Sequence, residues 1–139
     1  MSLTNRRRLT IEWGQCDPAG IMFNSRFFEM FDQSTWELFE AALGARPHEL
    51  AKIYGIIGVP LVDAGADFKK PLKFGDTIEI ASRVSEFRRS SFDVEHKITV
   101  DGALAVEGKE TRVWAARDAV TQKIVGVPLP DDVIAKFDR

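Results

Sequence analysis

The residues best placed to do chemistry stand close together near the start of the chain. In the run Trp13-Gly14-Gln15-Cys16-Asp17-Pro18-Ala19-Gly20-Ile21-Met22-Phe23-Asn24, a carboxylate sits in loop-forming sequence just ahead of a long stretch, 26–43, that lacks Gly and Pro. A helix start exposes unpaired backbone N–H groups and a partial positive charge. Such donors can polarise a substrate carbonyl while the carboxylate attacks it or activates a water. The competing reading is a plain Asp-Pro turn in which Asp17 bonds its own backbone. Spacing alone favours the turn.

Two other features invite a functional reading. Asp32 falls between Phe28 and Trp36 on the expected helix, away from the polar stripe of Arg26, Glu29, Gln33, Glu37 and Glu40. A carboxylate on an apolar flank needs either a partner or a task. Arg88-Arg89-Ser90-Ser91 is a basic, hydroxyl-bearing cluster at a strand end. Guanidinium groups suit phosphate oxygens through paired hydrogen bonds, although a solvated hairpin tip would look the same.

Other groups read as structural. Cys16 is a small packing residue with nothing beside it to lower its pKa. His96, on a strongly apolar strand face, reads as a satisfied core or interface histidine, and His48 as exposed. Two histidines and one cysteine give little material for a Ser-His-Asp triad or a multi-ligand metal site, and no metal is expected. G-x-S-x-G, H-E-x-x-H, P-loop and G-x-G-x-x-G patterns do not occur.

Elements able to position these residues follow from periodicity. Residues 6–13 alternate at Leu9, Ile11 and Trp13 and predict a strand; 14–24 predict a loop. Ser25 or Asn24 would cap a helix over 26–43 that ends at Gly44. Phe27, Phe31, Leu38 and Ala42 would line its apolar face, widened by Phe28, Phe39 and Leu43. Pro47 opens a short helix to about Tyr54. The remainder predicts strands over 56–70, 76–88, 91–100 and 103–116, with a hairpin at Asp101-Gly102. In the last of these Leu104, Val106, Gly108, Arg112 and Trp114 share one side. A short strand over 123–127 and a helical turn over 130–137 close the chain. This order predicts an α+β fold with the long helix against one face of a curled antiparallel sheet.

The 139 residues predict a single domain, 1–139, and the 45% hydrophobic, 29% charged composition fits a soluble globular chain. Lys and Arg total 19 against 21 Asp and Glu, giving a net charge of −2, which argues against a nucleic-acid or anionic-membrane partner. No apolar run approaches the roughly 18 residues of a membrane span. Arg6-Arg7-Arg8 is followed by Glu12 and Asp17 rather than an apolar run, so no signal peptide is expected, and the localisation expected is cytoplasmic.

Residues 13–24 resemble the active-site signature of the 4-hydroxybenzoyl-CoA thioesterase family of hotdog-fold proteins. That pattern has an aromatic residue, Asp, a small linker with Gly, two aliphatic residues and an aromatic before the helix. Trp13, Asp17, Pro18-Ala19-Gly20, Ile21-Met22 and Phe23 match it here. The likeness continues through Gly55-Ile56-Ile57-Gly58-Val59-Pro60, Glu86-Phe87-Arg88-Arg89-Ser90-Ser91-Phe92 and Val127-Pro128, covering nearly the whole chain.

The resemblance implies a hotdog fold and an acyl-CoA thioesterase that releases a free acid from an aryl- or short acyl-CoA. It implies Asp17 as nucleophile or general base and the backbone N–H of Asn24 as the carbonyl's donor. Family members often carry Tyr or His at that position, so Asn24 keeps the backbone role alone. Asp32 and Phe28 would lie at the acyl pocket. Arg88, Arg89, Ser90, Ser91 and Lys123 would meet coenzyme A, which is part of the substrate; no separate cofactor is implied. The expected assembly is a homodimer or homotetramer, with Val62 and Asp63 reaching the site from a second subunit. The alternatives are a non-catalytic acyl-CoA binding module and a hotdog hydratase or dehydratase. The latter needs a His beside a carboxylate, and neither histidine lies in the Asp17 loop.

Overall fold

A computed structural model of the protein describes residues 2–138. Helix α1 spans Asn24–Leu43 and stops where Gly44 turns left-handed (φ 68°), a conformation that glycine takes without strain. It starts two residues earlier than the predicted helix. Phe23, extended at φ −69° and ψ 137°, holds the N-cap position without a side-chain cap. Its N–H donates to the carbonyl of Gln15 (2.9 Å), so the preceding loop fixes the helix start in place of a capping hydroxyl.

The strands are β1 (Asn5–Thr10), β2 (Leu61–Phe68), β3 (Thr77–Phe87), β4 (Ser91–Val100) and β5 (Ala103–Val113), joined as one antiparallel sheet in the order β1-β3-β4-β5-β2. A ribbon of β6 (Ala115–Arg117) and β7 (Ile124–Gly126) continues beyond β5. Helices α2 (Pro47–Tyr54) and α3 (Asp131–Lys136) complete the chain. The predicted α+β class is what the structure has. The sheet is not strongly curled, however, so the helix is packed across one face rather than wrapped.

Two boundaries differ from the predicted ones for local reasons. β1 ends at Thr10, because Glu12 and Gln15 close a capping box around a 3₁₀ turn at Trp13–Gln15. Trp13 therefore leaves the strand and meets Phe74 edge-on at 5.5 Å. β2 begins only at Leu61, after Gly58 at φ 147° and Pro60, which cannot donate to a ladder.

Helix α1 buries Phe27, Met30, Phe31, Ser34, Thr35, Leu38, Phe39 and Ala42 against the sheet. Phe28, predicted to widen that face, lies on its rim at 38% exposure. One apolar cluster gathers Phe39, Phe92, Trp114 and Phe137; the other gathers Phe31, Ile78, Ile80, Ile98 and Val106. Burying each such side chain contributes about 1.5–3 kcal/mol. Gly108 is required here: a Cβ on it would stand 2.5 Å from the ring of Phe31, which lies stacked at 4.8 Å on His96.

Helix and edge strand run alongside one another. Phe27 meets Phe68 at 5.0 Å near one end of β2, and Asp32 meets Arg112, the neighbour of Leu61, near the other. Strand β2 forms one edge of the sheet and exposes Leu61, Val62 and Phe68. The opposite edge, β1, carries Arg6, Arg7 and Arg8, the kind of charge that discourages edge pairing.

Candidate active site

The loop before α1 is tightly tied. Asp17 N–H donates to the carbonyl of Ile21 and Gly20 N–H to that of Asp17, both at 2.9 Å. Gly20 sits at φ 80°, which this reversal requires. Met22 N–H reaches the carbonyl of Leu72 and Phe74 N–H that of Gly20, so the loop is pinned to the segment before β3. Asp17 Oδ1 accepts from Ala19 N–H at 2.9 Å. The turn reading is thus correct for one oxygen. Oδ2 has no hydrogen-bond partner among the described residues and can meet a ligand.

Bridge pairing of Cys16 with Met22 brings Asp17 back toward the helix start. Asn24 is the first helical residue, so its N–H has no intrahelical acceptor and points out with the positive end of the dipole. Beside it opens a cavity of about 310 Å³, walled by Ile21, Met22, Phe27, Phe68 and Leu72 with Lys69 and Lys70 at its edge. Sequence reasoning did not single out this cavity; only the fold brings the β2–β3 connection against the helix start.

Phe28 and Asp32 follow Asn24 at steps of four residues on one exposed stripe of α1, and its Asp32 end meets Arg112 of β5, the register partner of Leu61 in β2. Val62 and Asp63 lie exposed on that strand. Asp32 is not free: Arg112 Nη2 donates to its Oδ1 at 2.7 Å, with the Asp32 side chain 54% exposed and that of Arg112 only 4%.

Behind Arg112 lies a polar network that sequence reasoning missed. Arg112 Nη2 also donates to Glu110 Oε2 at 2.6 Å, and Nη1 to the carbonyl of Val59 at 3.0 Å. Glu110 Oε1 meets Thr35 Oγ1 and His96 Nε2, the latter at 2.9 Å; Ser82 Oγ meets His96 Nδ1 at 2.7 Å. With its proton on Nε2, a neutral His96 donates to Glu110 and accepts from Ser82, satisfying both atoms. Burial pushes the Glu110 carboxyl up, but hydrogen bonds from His96, Arg112 and Thr35 outweigh it and hold the pKa at about 2. The available signal was two charged residues, Glu110 and Arg112, at alternate positions on a face shared with Val106 and Trp114.

At the far end of β3 the basic cluster divides. Arg88 is not an open guanidinium: Nε donates to Ser91 Oγ at 2.9 Å, Nη1 to Glu86 at 3.0 Å, and Nη2 to Asp93 at 2.8 Å. This pairing, followed by the Thr111 hydroxyl, holds the Asp93 carboxyl well below the ordinary range despite its burial. Arg89 and Lys123 have no side-chain ion pair among the described residues. Ser90 Oγ stands 3.0 Å from where a Cβ on Gly126 would be, and Leu129 N–H reaches the carbonyl of Arg89, so β7 passes directly beside the turn. Lys123 immediately precedes that strand.

Among the described residues no group of three or more His, Cys, Asp or Glu could hold a metal ion, and no helix is long and apolar enough to cross a membrane.

The chain is similar in sequence and fold to known acyl-CoA thioesterases. The chain is 30% identical over 133 residues to the 4-hydroxybenzoyl-CoA thioesterase of Pseudomonas sp. (strain CBS-3), covering 91% of this chain and 92% of that protein. It is 27% identical over 92 residues to the 1,4-dihydroxy-2-naphthoyl-CoA hydrolase of Synechococcus elongatus, covering 64% and 65% of the two. A crystal structure of a 4-hydroxybenzoyl CoA thioesterase mutant complexed with 4-hydroxybenzoyl CoA superposes with a TM-score of 0.87 at 25% identity, covering 96% of this chain and 98% of that one. A gentisyl-coenzyme A thioesterase superposes with a TM-score of 0.82 at 28% identity, covering 96% and 99%. The model of the thioesterase-like superfamily matches residues 11–137, and the chain belongs to that superfamily.

Proposed function

We propose that this acyl-CoA thioesterase hydrolyses an aryl- or short acyl-CoA to the free acid and coenzyme A, with Asp17 as its catalytic carboxylate. The observation that carries the proposal is the unpartnered Asp17 Oδ2 in a loop tied, through Phe23 N–H and the Gln15 carbonyl, to the residue just ahead of the open N–H end of α1. The thioester carbonyl oxygen accepts from Asn24 N–H, which stabilises the negative charge that develops there. As general base, Asp17 takes a proton from water while the oxygen adds to the carbonyl carbon. Collapse of the tetrahedral species breaks the C–S bond and releases the thiol. As nucleophile, Asp17 instead attacks the carbonyl carbon and the C–S bond breaks to expel the coenzyme A thiolate, leaving a mixed anhydride that water cleaves to the free acid and the restored Asp17 carboxylate. Both routes use the same carboxylate and the same donor.

An aryl group is the favoured acyl class. Asp32 lies eight residue steps along the helix from Asn24, about 12 Å along the axis. That span matches one aromatic ring with a hydrogen bond at each end, and Phe28 lies between. Relatives named for 4-hydroxybenzoyl-CoA, 1,4-dihydroxy-2-naphthoyl-CoA and gentisyl-coenzyme A all take hydroxylated aryl groups, which supports the same class here. Arg89, Ser90 and Lys123 then meet the coenzyme A phosphates, while Arg88 and Ser91 brace the turn that presents them. A second subunit pairs along the exposed edge of β2, bringing its Val62 and Asp63 over the Asn24–Phe28–Asp32 stripe. The protein would act in the cytoplasm without a separate cofactor.

A thiol-release assay over a panel of aryl- and short aliphatic acyl-CoA thioesters tests the proposal. Turnover highest on hydroxyaryl thioesters is expected. Binding without turnover across the whole panel would instead favour a non-catalytic acyl-CoA module.

A further inference from the structure

The cavity beside the start of α1 carries two charges that the proposed reaction does not use. Its walls are apolar, but Lys69 and Lys70 stand at its edge. Neither ammonium group has a hydrogen-bond or ion-pair partner among the described residues. Asp67, the nearest carboxylate in sequence, lines a cavity on the opposite face of the sheet together with Lys97 and Lys109. The cavity is also preformed. Lys69 N–H and Lys70 N–H both donate to the carbonyl of Ala105, at 2.8 and 3.1 Å, and Met22 N–H donates to that of Leu72 at 2.8 Å. Phe27 and Phe68 meet edge-on with ring centroids 5.0 Å apart and close one wall. A site fixed in this way needs little ordering when a ligand enters. Its volume of about 310 Å³ is at the small end for ligand pockets, about 300–1,000 Å³, and suits one ring or a short chain.

An apolar body with one anionic end matches these walls and this edge. Asn24 lines the same cavity, and its N–H is the donor proposed above for the thioester carbonyl. Hydrolysis turns the neutral thioester into a carboxylate and a proton. Negative charge therefore appears beside Asn24 only after the C–S bond has broken. The Asp17 carboxylate repels that charge, whereas Lys69 and Lys70 attract it. Two ammonium groups at this place do little for the neutral thioester group and favour the acid formed from it.

We propose that this cavity is a binding site for a small apolar carboxylate, the class of the acid that hydrolysis releases, with the carboxylate held by Lys69 and Lys70 and the apolar body against Phe27 and Leu72. Its assignment to the product rests on the proposed function; the site itself does not. Benzoate tests it, with benzamide as a neutral analogue of the same shape. Titrations of the whole protein are followed by the methionine methyl signals. Benzoate is expected to move the Met22 signal most, because Met22 lines the cavity and Met30 does not. Lys69→Gln combined with Lys70→Gln is expected to weaken benzoate roughly tenfold, the range of hydrogen bonds to a charged group, and to leave benzamide unchanged. Lys69→Arg combined with Lys70→Arg keeps both charges and is expected to retain benzoate binding. Both side chains are exposed, so these variants should fold with an unchanged Tm. Equal benzoate affinity in the wild type and the glutamine variant would overturn the proposal, as would benzoate that leaves the Met22 signal unmoved. Coenzyme A alone is the second arm: if it moves the Met22 signal and benzoate does not, the lysines serve a phosphate and the proposal falls. Benzoate binding is measured without turnover, so a thioester panel that shows none would remove the proposed function and leave the carboxylate site standing.

Discussion

Glu110→Gln tests the buried network most sharply, because its effect has a magnitude and a pH dependence that follow from the structure. Hydrogen bonds and the Arg112 charge hold the Glu110 pKa at about 2 against an ordinary 4.5, in spite of burial. At 1.36 kcal/mol per pH unit, that gap corresponds to about 3 kcal/mol. The folded value lies below the unfolded one, so this stability is complete above pH 4.5 and is lost as pH falls toward 2. Glutamine keeps the size of the side chain but removes the charge, leaving Arg112 buried with Asp32 as its sole carboxylate partner. Breaking a buried pair from one side costs about 3–5 kcal/mol. The variant is expected to be less stable than wild type at pH 7 by about that amount, with the gap narrowing steadily between pH 4.5 and pH 2.5. Urea unfolding at pH 7, 4 and 2.5, at matched protein concentration, measures it. Asp93 also titrates in acid but does so in both proteins, so the difference between them isolates Glu110. A variant within about 1 kcal/mol of wild type at pH 7, or one whose deficit stays constant down to pH 2.5, would refute the reasoning.

Two further outcomes follow from the fold. Arg89→Ala should raise KM for acyl-CoA severalfold with a smaller change in kcat, the signature of losing binding common to ground and transition states, and the penalty should shrink on a pantetheine thioester lacking the nucleotide. Arg88→Ala should instead lower Tm more than it raises KM, because it strips buried Asp93 of its guanidinium; equal KM effects from both substitutions would contradict this division. Light scattering at micromolar concentration should give at least a dimer, and Val62→Lys on the exposed β2 edge should dissociate it and reduce turnover; a monomer in the wild type would remove the seam model.

Much of the fold was legible because its signals are local. The Gly- and Pro-free run before Gly44, Pro47 at a helix start and the Asp101-Gly102 hairpin each determine their own backbone. Strand β4 was read from strict alternation, Phe92, Val94, His96, Ile98 and Val100, and all five are buried. Where prediction slipped, the deciding partner was distant in sequence. The helix starts at Asn24 because Phe23 is tied to Gln15, and Trp13 leaves the strand to meet Phe74. The candidate site was legible only in part. Asp17 could be singled out by its loop, but the ion pairing of Arg88, which Arg89 lacks among the described residues, depends on Asp93 across the hairpin. The Asp32–Arg112 pair joins residues eighty positions apart, a contact that no spacing rule reaches.

The central claim is that Asp17 supplies the catalytic carboxylate, and Asp17→Asn tests it most directly. Asparagine retains an oxygen that can accept from Ala19 N–H, so the turn and the fold should persist. It removes the charge that attacks the carbonyl or deprotonates water. With kcat and Tm measured on one preparation, the account predicts an unchanged Tm, retained acyl-CoA binding and a kcat lower by about 10²-fold or more. Near-wild-type kcat on a good substrate would contradict it, and a fall in Tm with normal turnover per folded molecule would return Asp17 to the role of a turn residue.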